Sequence, residues 1–390
     1  MRTNEIMKEA ESLGGELLLE RRYLHRTAEV GFELPKTQRF VMDRLKAIGC
    51  EGQPLGRCGV RAEIGDGKRT VLLRADMDAL PIPEKTDLIF RATNGNMHAC
   101  GHDMHTAMLL GATRILKNHE SELQGRVRLM LQPAEEILAG ARDMIENGIL
   151  NAPRPQAALM IHLTLGGMES GKVVIPEGVS APAASFFRIA VKGEGSHGAT
   201  PEKSRDALLA AAHIYSALAS VAAREIASRS RLTVGRLSGG CAANAIADEA
   251  VIEGTVRSYS EVEKKRLGER INEVCLGVAI AMKVGVRVEF FADCPPLICD
   301  EELSRAVLAN TKELLGDSVI SAKDLPPTES GGGSEDFAYI SREIPSLMIA
   351  MSAGERGALH SPEAIFNESV LARGSAILAY NAYKLLSGKR

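Results

Sequence analysis

Three histidines and a cysteine fall within nine residues, Met97 to His105, in the stretch MHACGHDMH. Cys100 and His102 stand two positions apart and offer a thiolate and an imidazole. Both can face one point if the backbone between them is extended, with Gly101 permitting a tight turn. Such a pair suits a borderline-soft divalent ion. Two other readings use the same residues: surface or capping histidines around a core cysteine, or Cys100 as a nucleophile with a histidine base. A nucleophile needs one histidine rather than several, so the density of imidazoles favours the metal.

More donors stand at the ends of apolar runs. Glu135 and Glu136 follow RVRLMLQ, His162 ends AALMIH, and His360 lies in ALHSPE beyond the last strand-like run. Adjacent side chains on extended backbone point apart, so of the two glutamates one can coordinate and the other handle protons. A helix amino terminus, whose dipole favours acids, is the competing and compatible explanation of that pair. One thiolate, three imidazoles and a carboxylate are enough for two divalent ions.

Elements far apart in the chain must bring these residues together. At 390 residues the chain exceeds the ~250 to 300 at which a single core stops growing, so two domains are expected. Up to about residue 180, apolar strands alternate with helical patterns, the signature of an α/β domain with a mostly parallel central sheet. TVLLRADMD runs into Asp76 and Asp78, and with the two runs above it places acid or imidazole where open α/β sheets bind ligands, at strand carboxyl ends. Residues 183–293 read instead as strand, helix, two strands, helix and strand, a βαββαβ ferredoxin-like domain inserted into the first. The catalytic domain is then discontinuous, 1–182 and 294–390.

Composition narrows the function classes. A net charge of −3 offers no field for nucleic acid or an acidic membrane, and the absence of Trp argues against a base-stacking surface. No signal-like or membrane-spanning segment is expected, and seven scattered cysteines fit reduced thiols, so the protein is expected in the cytoplasm.

Eight stretches, in order, carry a family resemblance: RRYLHRTAEVGFE, LLRADMDALPIPE, HACGHDMHTAMLLGA, LQPAEE with GARDMIENG, GEGSHGATPE, NAIADEAVIEGTVR, GGGSEDFA and LHSPE. Together they resemble the dinuclear metal amidohydrolases that include hippurate hydrolase, N-acyl-amino-acid amidohydrolases and auxin-conjugate hydrolases. The resemblance implies a zinc-peptidase-like catalytic domain holding two divalent ions per chain, Zn²⁺, Mn²⁺, Co²⁺ or Ni²⁺. Cys100 would bridge them, with His102 and His162 on one ion and Glu136 and His360 on the other. Glu135 would be the general acid/base toward a metal-bound hydroxide, formed because the ions lower the pKa of water towards ~7. Asp78, and less firmly Asp76, Asp103 and His105, would hold imidazoles in the right tautomer. In the inserted domain the resemblance assigns His197 to the carbonyl oxygen of the transition state, and Asn244 with Arg257 to the substrate carboxylate. It also implies a homodimer through that domain, in which each GSHGA loop serves the other subunit.

Two positions depart from the family pattern: Ala28 stands where Pro is usual, and Glu202 where His is common. The reading is a cytosolic hydrolase of small N-acyl amino acids. Its alternatives are a dipeptidase or carboxypeptidase of the same architecture and, from another class, a non-catalytic metal-stabilised binding protein.

Overall fold

The computed structural model describes residues 2–226, 229–325 and 333–388, so 326–332 of the expected loop PPTESGGGSED lie outside the described residues. The described chain forms two compact units. The first draws on the described parts of Met1–Ser180, Ile298–Pro327 and Tyr339–Arg390, and the second on those of Ala181–Leu297 and Thr328–Ala338. These boundaries depart from 182/183 and 293/294 for a local reason. The strand Gly285–Cys294 continues through Cys294 in register with Ala184, and Arg257 donates to Ser334 Oγ, which keeps that stretch with the second unit.

In the first unit an eight-stranded sheet runs in the order Gln53–Leu55, Gly59–Gly65, Arg126–Gln132, Thr70–Asp76, Ala157–Thr164, Ser346–Ser352, Val173–Ile175, Val319–Ser321. Its centre is parallel, and antiparallel pairs lie towards the edges. Thr70–Asp76 is buried at all seven positions, as a Val/Leu-rich central strand covered on both faces should be. Its two charges survive there as a pair, Arg74 Nη1 lying 2.6 Å from Asp76 Oδ2. The helix His102–Asn118 is buried nearly all round because it packs against the sheet and the helix Leu371–Ser387 together. Each buried Leu or Met of that helix contributes about 1.5–3 kcal/mol, which fixes the helix whose first residue is His102.

The second unit is an antiparallel sheet ordered Arg231–Gly239, Glu249–Ser258, Ala183–Lys192, Gly285–Cys294, that is, second, third, first and fourth strand, the ferredoxin-like arrangement. Helices Ala207–Arg224 and Glu261–Met282 pack on it. Contrary to expectation, Ala207–Arg224 is long and apolar enough, by length and composition, to cross a membrane; here it buries Ile214, Leu218 and Val221 against the sheet. A ribbon of Ser196–His197 with Ala245–Ile246 is added to the basic pattern.

Candidate metal centre

Cys100 and His102 meet through a turn rather than along extended chain. Gly101 sits at φ +83° as the residue before the helix, a backbone that favours glycine, and a Cβ there would crowd the Phe366 ring at 3.0 Å. Cys100 Sγ lies 3.6 Å from His162 Nε2. Donor atoms of Cys100, His102 and His162 all fall within 4.8 Å of one another, and so do those of Cys100, Glu136 and His360. The sulfur therefore belongs to two ligand groups at once. His162 stands two residues before the end of its strand, and His360 is carried at φ +64°, its N–H donating to Ala99 O at 3.0 Å.

The imidazoles are oriented from behind. His102 Nδ1–H donates to the Asp78 carbonyl at 2.8 Å and His162 Nδ1–H to the Leu163 carbonyl at 2.8 Å, which turns both Nε2 atoms towards the cluster. Among the described residues, the buried His102 Nε2 meets no hydrogen-bond partner. His105 has neither nitrogen to spare: Nδ1–H donates to Asp76 Oδ1 at 2.7 Å and Nε2 accepts from Leu163 N–H at 3.0 Å. It holds the strand that bears His162 instead of coordinating.

The electrostatics fit a cation. Burial opposes a charge on His102, yet the Asp76 carboxylate, 3.7 Å from Nε2, raises it well above its ordinary value; a place that holds a proton so firmly is a place for positive charge. Burial pushes the Cys100 thiol up to about 12, so only a strongly positive neighbour makes it the thiolate ligand. Burial holds His162 down at about 3, leaving a neutral imidazole ready to donate its lone pair. Thiolate, imidazoles and carboxylate are together a donor set for Zn²⁺ and its neighbours.

Glu135 and Glu136 sit in neither of the backbones expected for them. They lie in a tight turn, with Ala134 at φ +56° and Leu138 at φ +55°, and the next helix begins only at Gly140. A Cβ at Gly140 would stand 1.6 Å from the Pro133 carbonyl oxygen, so the turn closes only on glycine. Asp78 holds the pair from beneath: Oδ1 accepts from Glu135 N–H at 3.0 Å and Oδ2 from Glu136 N–H at 3.2 Å. Glu136 Oε1 lies 3.5 Å from His360 Nε2 and 3.8 Å from His102 Nε2. A Glu135 oxygen falls within 4.8 Å of donors of both Glu136 and His102. Asp78 thus serves His102 through its carbonyl and the glutamates through its carboxylate.

In the second unit His197 pairs with Ala245 in the ribbon, and Gly198 N–H donates to Asn244 O at 2.7 Å, which brings His197 and Asn244 side by side on exposed chain. His197 Nδ1 accepts from Ala199 N–H at 3.0 Å, so the neutral ring carries its proton on Nε2 and presents a donor. Arg257 is half-buried on Glu249–Ser258, Nη1 donating to Ser334 Oγ at 3.1 Å. Spacing gave no hint of Arg74, which balances Asp76, or of Arg21 and His25, which bind Asp103 at 2.9 and 2.8 Å.

The profile of peptidase family M20/M25/M40 matches residues 72–384. The chain is 33% identical over 372 residues to N-acetyl-L-cysteine deacetylase of Bacillus subtilis, covering 94% of this chain and 87% of that one. To hippurate hydrolase of Campylobacter jejuni it is 31% identical over 388 residues, covering 98% and 99%. The crystal structure of a dinuclear metal-binding peptidase of Bacillus subtilis from the M20 family superposes with a TM-score of 0.79 at 30% identity, covering 96% and 99% of the two chains.

Proposed function

The chain belongs to peptidase family M20/M25/M40, and from that premise we propose that it hydrolyses the amide bond of small N-acyl amino acids. The observation that carries this reading is the Cys100 sulfur shared by two ligand groups, with the Glu135 carboxylate beside them. The ions, when bound, supply Lewis acidity to the amide carbonyl and acidity to water. Cys100, His102 and His162 would hold one and Cys100, Glu136 and His360 the other. Glu135 takes the proton of the attacking water and returns it to the amine nitrogen as the C–N bond breaks, leaving a carboxylate and a free amino acid. His197, with its proton on Nε2, donates to the oxygen that gains charge. Asn244 and Arg257 take the substrate carboxylate, for which a guanidinium is suited.

A purified sample offered acylated amino acids and free dipeptides side by side, with Mn²⁺, Co²⁺, Zn²⁺ and Ni²⁺ in turn, should cleave the acylated set. Activity should vanish on chelation and return with metal. Preference for free amines makes it a dipeptidase, and metal uptake without turnover makes it a binding protein. Indifference to chelators with loss on alkylation returns Cys100 to the role of nucleophile.

We further propose a cytoplasmic homodimer paired through the inserted domain. All seven cysteines are free, as in a reducing compartment. The outward face of Ala207–Arg224 exposes Leu208, Leu209 and Tyr215 on a run from 207 to 223 that holds no Asp, Glu, Lys or Arg and a single histidine, His213, beside the open edge strand Arg231–Gly239. Both features suit two-fold pairing. If His197 serves the partner's metals, inactive Glu135→Ala and His197→Ala chains refolded together should recover about a quarter of wild-type activity, since half the dimers are mixed and each has one good site. A mixture as inactive as its parents, despite proven subunit exchange, sinks the shared site.

A further inference from the structure

Beneath the first turn of His102–Asn118 lies a layer of buried charge that the reaction does not use. His25, on the helix Gly14–Thr27, is 1% exposed and has a carboxylate at each ring nitrogen. Asp103 Oδ2 lies 2.8 Å from Nδ1, and both Glu84 oxygens lie 3.2 Å from Nε2. Two acceptors on opposite sides of one ring demand two N–H donors, which only the imidazolium has. Arg21 completes the layer, with Nε 2.9 Å from Asp103 Oδ2, Nη1 3.1 Å from Glu368 and Nη2 3.4 Å from His25 Nδ1. The His98 ring, 6.3 Å away between centroids, and the edge-on Phe90 ring at 5.5 Å close the surroundings.

The two carboxylates belong to segments that carry different metal ligands. Asp103 follows His102 directly and accepts from Met104 N–H at 2.9 Å. Glu84 sits in the loop that leaves Leu80 and returns at Met97, where the two residues exchange backbone hydrogen bonds of 3.0 and 2.9 Å, three residues before Cys100. Glu84 also gathers that loop, accepting from Thr86 Oγ1 and from Ala92 N–H at 2.6 Å. The loop in turn grips the segment bearing His360: Lys85 N–H donates to Pro362 O at 2.8 Å, and Arg356 pairs with Asp87 at 2.9 Å.

We propose that His25 is a positioning residue for the metal centre, an imidazolium clasp between Asp103 and Glu84 that holds the Cys100–His102 turn and the His360 segment at a fixed separation. This rests on the dinuclear reading of the site. Burial, and more weakly Arg21, oppose the charge on His25, but Asp103 and Glu84 outweigh them and raise it above its ordinary value. A raised value means that the clasp is whole below about 6.5 and is lost as pH climbs through the value His25 has in the fold.

The test strips the full chain with a chelator and titrates it with Mn²⁺, reading bound ions directly. His25→Gln donates to only one carboxylate and should weaken Mn²⁺ binding about 10- to 100-fold, the usual scale for residues behind metal ligands. At saturating Mn²⁺ its KM should stay near wild type. His25→Gln combined with Glu84→Gln, which removes the stranded charge, should bind no more weakly than the single variant. The His25 ring signals in the NMR spectrum of wild type should stay those of imidazolium well above pH 6.5. Wild-type Mn²⁺ affinity in a folded His25→Gln, or a ring that titrates at an ordinary or lower value, overturns the clasp. Should His25→Gln fail to fold, the wild-type ring titration decides alone. A wild-type chain that binds no Mn²⁺ sinks the dinuclear reading instead.

Discussion

Glu135→Gln is expected to keep both metal ions and lose about 10²- to 10⁴-fold in turnover, the scale of a general acid/base. Glu136→Gln is expected to lose metal. The two residues are neighbours in sequence, yet the turn that carries them separates their tasks. Ala134 and Leu138 in left-handed conformation bracket the pair, and Asp78 fixes both N–H groups, so the two side chains rise from one rigid turn and differ in which partners their carboxylates meet. Glu136 points at His360 and His102, while no ligand group containing Cys100 needs Glu135. Glutamine preserves the shape of Glu135 and removes only its ability to take a proton. Metal analysis after gel filtration, beside turnover at saturating substrate and metal, separates the two outcomes. Loss of metal from Glu135→Gln with retention in Glu136→Gln would reverse the assignment.

Cys100, His102, Glu136, His162 and His360 stood out by residue type, some of them near strand ends, but only the family resemblance sorted them into two ligand groups; the structure brings their donor atoms within 4.8 Å in the groups Cys100–His102–His162 and Cys100–Glu136–His360. The βαββαβ order was legible directly, since alternation and helical period are local signals. What spacing did not disclose is backbone of the kind glycine usually supplies but other residues adopt here. Ala134, Leu138 and His360 all have positive φ, and nothing in their type announces it. Such strain, about 1–3 kcal/mol at each, persists because the surrounding hydrogen bonds overdetermine it, and it marks the turns that aim Glu135, Glu136 and His360. Nor did spacing reveal the layer of Arg21, His25, Glu84 and Asp103. Those residues come from three segments with no common period, and their pairing exists only once the helices and the loop are packed. His105 teaches the converse. By type it is as good a ligand as His102; the resemblance gave it only the task of holding an imidazole, and both its nitrogens are occupied, by Asp76 and Leu163.

Cys100→Ser should cost metal from both ligand groups, whereas His162→Ala should cost it chiefly from one. The sulfur is the atom common to the two groups, so its charge would be felt by both ions at once. In the buried pocket the thiol is pushed up to about 12, and two bound divalent ions would overcome that because a thiolate is a soft, strong ligand. A serine hydroxyl in the same place is harder and far less acidic, so it remains a neutral group between two cations that then repel each other unshielded. The variant should hold fewer than two ions per chain after dialysis against metal-free buffer and should lose activity at least as severely as Glu135→Gln, by about 10²-fold or more. With Co²⁺ the wild type should show a thiolate-to-metal charge-transfer band in the near ultraviolet, and Cys100→Ser should lack it. Burial raises Cys50, Cys58, Cys275, Cys294 and Cys299 as well, and neither these nor the exposed Cys241 falls in a ligand group among the described residues, so the band reports on Cys100. Two ions per chain with full activity in Cys100→Ser would remove the sulfur from the bridge and leave Glu136 as the only anionic ligand of the proposed set.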